Sequence, residues 1–152
     1  MIEQIPATEK DVRSIASRIR EADRLEIWLA SGTQPAGVLV SALHQSEKAW
    51  VYTADGIPEC VFGVVTGPVP SLGVPWMVGT PVMVKHQVAL LREGHRIVNE
   101  MNDMYPTLWN LVSADSRTSI RWLKRLGFQL GDPIKHGPFN ADFYPFMRFK
   151  DV

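Results

Sequence analysis

Thr107–Phe128 reads TLWNLVSADSRTSIRWLKRLGF. Leu108 to Val112 is a compact apolar run of strand length. Asp115 or Ser116 can cap a helix that follows it. Ile120, Leu123 and Leu126 recur at helical spacing along that helix. Gly127 suits the left-handed position that closes it, and Phe128 to Leu130 begins a further strand. A helix joining two strands in this way predicts at least one parallel crossover in a layered sheet-and-helix domain.

Working outward, Leu90, Leu91, Ile97, Val98 and Met101 form a preceding helical stripe that Pro106 ends. Gly94 lies inside it, at a cost of about 1 kcal/mol relative to alanine. Further upstream, Ala49 to Thr53 is rich in aromatic and β-branched residues and reads as a strand. Asp55-Gly56 is a hairpin-turn signal, and Glu59 to Thr66 is the partner strand. Gly67, Pro68, Pro70 and Gly73 mark a loop. Val74 to Val78 is a short strand candidate, which Pro75 weakens or places at an edge.

The N-terminal third is helical after a short strand from Ile2 to Ile5. Thr8 and Asp11 have capping-box spacing, and Val12, Ile15, Ala16 and Ile19 share one face. Asp23 reads as the cap of a second helix carrying Leu25, Ile27, Trp28 and Leu29, closed by Gly32. Pro35 opens a third helix with Val38, Leu39, Ala42 and Leu43 inward. At the other end Phe143 to Phe149 is a closing strand, with a bulge or edge at Pro145. The expected fold class is α/β (α+β), with a central, mainly antiparallel mixed sheet flanked by helices, in one domain over 1–152.

The 152 residues are 45% hydrophobic, with sixteen basic and sixteen acidic side chains. Zero net charge argues against a nucleic-acid partner and a basic membrane anchor. No apolar stretch approaches the roughly 20 residues of a bilayer span. The opening MIEQIPATEKD has neither the basic start nor the apolar run of a signal peptide. Cys60 is the single cysteine, which fits a reducing compartment; in an apolar strand it reads as a buried inert thiol. His44, His86, His95 and His136 are scattered, and no metal-ligand spacing occurs, so no metal is expected.

Two resemblances rest on these segments. TLWNLV, SIRWLKRLGF and the final aromatic strand have the order of the Gcn5-related N-acetyltransferase (GNAT) fold, whose last helix ends in Gly-Phe as Gly127-Phe128 does. ADRLEIWLASG (Ala22 to Gly32), VPWMVGT (Val74 to Thr80), YPTLWNLV (Tyr105 to Val112) and SIRWLKRLGF (Ser119 to Phe128) also resemble a bacteriophage family that includes the internal virion core protein of short-tailed coliphages. The first resemblance implies acetyl-CoA or CoA as ligand. The second implies a location in the cytoplasm of the bacterial host, or packaged in the virion, with other virion proteins as partners.

For a CoA ligand the GNAT resemblance implies a role for Met83 and Val84 through strand backbone groups. Lys85, His86 and Gln87 would meet the pyrophosphate at a helix start, where unpaired amides and the dipole favour anions. Ser113 and Ser116 would flank the pantetheine arm. The family's glycines are absent from Val84–Ala89. Its tyrosine acid falls at Leu123, which has no proton to give. Glu59 and Asp55 are the candidates for a general base.

Three functions therefore compete. The leading expectation is a degenerate acetyltransferase-like phage virion or assembly component. The alternative is an active acyl-CoA-dependent N-acetyltransferase acting on a small or protein amine. The third is a binding module with an open groove between two strands.

Overall fold

A computed structural model describes residues 2–150. The chain runs β1 (Ile2–Pro6), α1 (Glu9–Ser17), α2 (Glu21–Ser31), α3 (Pro35–Gln45), β2 (Ser46–Ala54), β3 (Ile57–Thr66) and β4 (Leu72–Gly79). A 3-10 helix (Pro81–His86) then leads into α4 (Gln87–Met104). β5 (Thr107–Ser113), α5 (Arg117–Arg125), β6 (Gln129–Leu130), β7 (Ile134–His136) and β8 (Ala141–Phe149) complete it. The strands form one sheet in the order β1-β2-β3-β4-β5-β8-β6, with β7 also beside β8. β4 and β5 are parallel and every other pair is antiparallel. α4 is the crossover that a parallel pair requires.

Alternation along the strands assigns each side chain to a face. Trp50, Tyr52, Cys60, Phe62, Val64 and Met77 pack toward α4 and α5. Val51, Val61, Trp76 and Val78 pack toward α1 and α3. Both faces are covered, which is why β2 and β3 read as continuous apolar runs.

The local signals act largely as their residues dictate. Thr8 and Asp11 close a full capping box. Gly32 and Gly127 take left-handed conformations at φ 69° and 88°. Three expectations need correction. α2 begins at Glu21, with Arg20 in the cap position. Asp23 stands inside the first turn and turns its carboxylate away to Arg20 and β4. β7 carries no reading in the sequence, being only three residues long before a turn with Gly137 at φ 78° and Asn140 at φ 51°. Pro145 is not at an edge: it pairs with Leu111 of β5. On its other side, where β6 gives way to β7, its carbonyl accepts from the Gly131 amide at 2.8 Å.

β4 and β5 pair only at Leu72–Thr107 and Gly73–Leu108, then part. Tyr105 explains where the apex lies. Its hydroxyl hydrogen-bonds Thr66 at 2.6 Å, and its ring lies under Gly73, where a Cβ would stand 2.6 Å from it. Pro75 is the next residue but one. It has no amide to offer a neighbour, and its carbonyl accepts from Asn110 Nδ2 at 2.7 Å across the widening gap. β4 is thus an interior strand and not the edge that Pro75 suggested; the proline is accommodated because its β5 side lies in the stretch where the two strands have parted.

Gly73→Ala should force the Tyr105 ring out of place. Overpacking of this kind costs about 1–3 kcal/mol. The expected result is a lower urea midpoint at unchanged m-value, while a midpoint equal to that of the parent would remove the Tyr105 account of the apex.

Candidate functional site

Backbone groups that lose a strand partner must find another. In the β4–β5 gap, side chains supply it. Asn110 donates to Pro75 and accepts from the Leu111 amide at 2.7 Å. The Gly79 amide donates to Asp23 at 3.0 Å, and the Arg20 amide donates to the Gly79 carbonyl at 2.9 Å. On β5 the Ser113 amide donates to Glu26 at 2.6 Å. Asp23 and Glu26 stand one turn apart on α2, so they share a face. α2 therefore lies across the mouth of the gap, one carboxylate on each strand end.

The hairpin between β7 and β8 holds α2 there. Gly137 passes so close that a Cβ would lie 2.1 Å from the Leu29 carbonyl. Trp28 stacks on Phe139 with ring centroids 5.4 Å apart. Leu25 and Trp28 are exposed, so the inward face of α2 carries the two acids instead.

The acids differ in their partners. Asp23 is buried and receives a two-pronged hydrogen bond from Arg20, at 2.9 and 3.1 Å. Glu26 has the Ser113 amide alone. Burial pushes its carboxyl from the ordinary 4.5 up to about 7, with Asp23 adding to the rise against the lowering effects of the Ser113 hydrogen bond and Arg20. Such a group changes charge near neutrality, as a proton acceptor in a reaction must.

On the opposite face of the sheet, a cleft of about 370 Å³ runs between β4, the start of α4, and α5. Met77, Met83, Val84, Gln87 and Leu90 form one wall, and Thr118, Ser119, Arg121, Trp122 and Arg125 the other. Arg20 reaches it from the α1–α2 junction, so three cations and no acid line it. No side chain caps the start of α4, which the 3-10 helix enters directly, and the positive end of the helix dipole lies there. Next to the cleft lies a narrow apolar slot of about 50 Å³. Met77 and Trp122 line both. The Trp122 Nε1 is buried and has no hydrogen-bond partner.

The residues singled out from sequence divide among several places. Met83, Val84 and Gln87 line the cleft. Met83 and Val84 lie in the 3-10 helix and not in a strand, because β4 ends at Gly79. Lys85 is exposed and lines none of the described cavities. His86 turns toward a separate small cavity beside Glu59 and Cys60. Ser113 is buried with its amide on Glu26. Ser116 sits at the N-cap of α5 without a side-chain cap bond. Glu59 is buried against Arg18 at 2.8 Å and accepts from the Thr80 hydroxyl, so its carboxylate is committed. Asp55 is exposed in the β2–β3 turn at φ 53°. Cys60 is fully buried, and burial pushes its thiol well up, an inert state.

Sequence reading passed over Arg20, Asp23 as a strand ligand, and Glu26. The available signal was the Asp-x-x-Glu spacing on one helix face. Among the described residues, no group of three or more His, Cys, Asp or Glu gathers as a metal site, and no helix is long and apolar enough to cross a membrane.

No protein-family model matches the sequence, and no curated protein matches it. Solved structures do match in shape. Ard1 from Thermoplasma volcanium superposes with a TM-score of 0.77 at 15% identity, over 99% of both chains. An N-acetyltransferase from Staphylococcus aureus Mu50 gives 0.74 at 15% identity, over 98% of both. yncA from Salmonella typhimurium, a putative acetyltransferase solved with its cofactor acetyl-CoA, gives 0.69 at 14%, over 99% of this chain and 94% of that one. The fold is that of the GNAT acetyltransferases.

Proposed function

We propose that the protein is an acyl-CoA-dependent N-acyltransferase acting on an amine. The observation that carries this reading is the division of the opened β4–β5 pair. One side has a cation-lined cleft beside an uncapped helix start, and the other has a partly buried carboxyl that titrates near 7. The residues present suit the ligand. Arg121 and Arg125 complement phosphates, the positive end of α4 suits a pyrophosphate, and the slot accepts an aliphatic arm. The ligand supplies an activated acyl group on sulfur. Glu26 takes the proton of the attacking amine as the new C–N bond forms, and the thiolate departs with the electrons of the broken C–S bond. Leu123 stands where the GNAT pattern has an acid, so this chain offers no proton from that position.

A specific observation favours a second reading. Leu123 and the glycine-free Val84–Ala89 segment are departures from the acetyltransferase pattern. They support a non-catalytic protein, and the phage resemblance by itself would make that a virion or assembly component with other virion proteins as partners.

Calorimetric titration with acetyl-CoA separates the two. Micromolar binding, halved or worse in Arg121→Ala/Arg125→Ala, is the outcome for an acyltransferase. No heat at millimolar ligand is the outcome for a virion component.

Glu26→Gln tests the base. General-base catalysis contributes about 10²- to 10⁴-fold, so kcat/KM should fall by at least about a hundredfold. The parent's rate should rise with pH through about 7, and that limb should vanish in the variant.

Stability should move the other way. A carboxyl raised from 4.5 to about 7 binds its proton more tightly in the folded state. Its contribution is full below pH about 4.5 and is lost as pH rises through about 7. Glu26→Gln should therefore be more stable than the parent at pH 8, by on the order of 1–3 kcal/mol, and show little advantage at pH 4.5. Equal pH dependence in the two proteins would refute the raised carboxyl.

A further inference from the structure

Trp122 carries the single side-chain polar atom, among the described residues, that is buried without a hydrogen bond. A buried donor of this kind needs an explanation, since nearly all find partners. Its position narrows the choice. The indole lines both the polar cleft and the apolar slot, so it stands at their junction. The cleft has Arg20, Arg121 and Arg125. The slot has Phe62, Pro75, Leu126 and Phe146 and no charged residue. A ligand passing from one to the other changes there from anionic to aliphatic.

α4 makes room for the ring. Gly94 lies in the middle of that helix, and a Cβ on it would come within 3.1 Å of Leu126 and 3.6 Å of Trp122. The glycine that weakens α4 lets α5 approach with an indole between the two helices. Thr118, Ser119, Arg121 and Arg125 of α5 line the cleft and not the slot, so the indole is the side-chain donor of this helix that lines both.

We propose that the Trp122 indole N–H is a positioning donor for an amide carbonyl of the pantetheine arm of the acyl-CoA. This rests on the acyltransferase reading above. The arm suits the junction because it is an aliphatic chain whose acceptors are isolated carbonyls. It needs one donor at the point where the phosphates have been left behind. Trp122 holds the arm in place and takes no part in bond making.

The test compares CoA with adenosine 3′,5′-bisphosphate, which keeps the nucleoside, the 3′-phosphate and the inner phosphate of the pyrophosphate and lacks the outer phosphate and the arm. Trp122→Phe keeps an aromatic ring, smaller than the indole, and removes the N–H. One neutral hydrogen bond is worth about a 2- to 13-fold change. CoA should bind the variant that much more weakly, and adenosine 3′,5′-bisphosphate should bind both proteins equally. Equal weakening for both ligands, or none for CoA, would overturn the proposal.

Indole ¹⁵N–¹H spectra of the parent protein give a check that needs no altered fold, with Trp122→Phe used only to assign the signal where it folds and Trp122→Leu otherwise. The Trp122 resonance should move on adding CoA and stay in place with adenosine 3′,5′-bisphosphate. CoA binding with an unmoved indole removes this proposal alone. Absence of CoA binding by the parent removes the acyltransferase reading and this proposal with it.

Discussion

The parting of β4 from β5 is the constraint on which the rest of the molecule turns. Two parallel strands that separate inside a sheet expose amides and carbonyls that a continuous ladder would have paired, and buried backbone groups do not remain unpaired. Here Asn110 bridges the near end and α2 the far end. That requirement sets where α2 must lie and which of its residues face inward. It also accounts for a helix whose exposed side carries Leu25 and Trp28 while an acid, Asp23, is buried. The Gly137 hairpin and the Trp28–Phe139 stack then hold α2 against the opening.

Charge follows from the same arrangement. Two carboxylates brought to one gap repel each other and lose solvent. Arg20 lies three residues before Asp23 on the same helix turn and gives it both prongs of its guanidinium. Glu26, three residues further on, is left with a single amide. The pair is thus unequal by construction: Asp23 has its countercharge, and Glu26 answers its burial by holding a proton to higher pH.

Elements with strong local chemistry were legible in the sequence. The Thr8–Asp11 box, the Asp55-Gly56 turn, the glycines at 32 and 127 and the strand–helix–strand order of Thr107–Phe128 each reflect contacts within a few residues. The GNAT resemblance of the C-terminal half pointed to the observed fold. The site was less legible because its residues meet through the sheet. Glu26 and Ser113 are 87 positions apart, and an acid on a helix face reads as solvated until the strand end it serves is known. Glu59 shows the converse. It stood on a plausible strand, but Arg18 and Thr80, neither foreseeable from its neighbours, already occupy its carboxylate. Met83 and Val84 were expected in a strand, but their segment tightens into 3-10 helix after Thr80, whose hydroxyl accepts from the Val82 amide.

The two sides of the opened pair differ in chemistry and meet at Arg20, which lines the cleft and grips Asp23. Met77 points to the cation-lined cleft, while Trp76 and Val78 point to the core beneath α1 and α3. A one-residue slip of this strand would exchange those faces and take the Met77 thioether out of the cleft. Gly63 on β3 resists that slip. The Trp76 ring lies over it, with a Cβ there only 2.4 Å from the indole, and Trp76 Nε1 donates to Ser46 at 2.8 Å. The register of one short, proline-containing strand is thus anchored on the side away from the gap. On the gap side it is left free to diverge. Anchoring and divergence belong to opposite edges of β4, so the sheet can open without losing the alignment that points Met77 into the cleft.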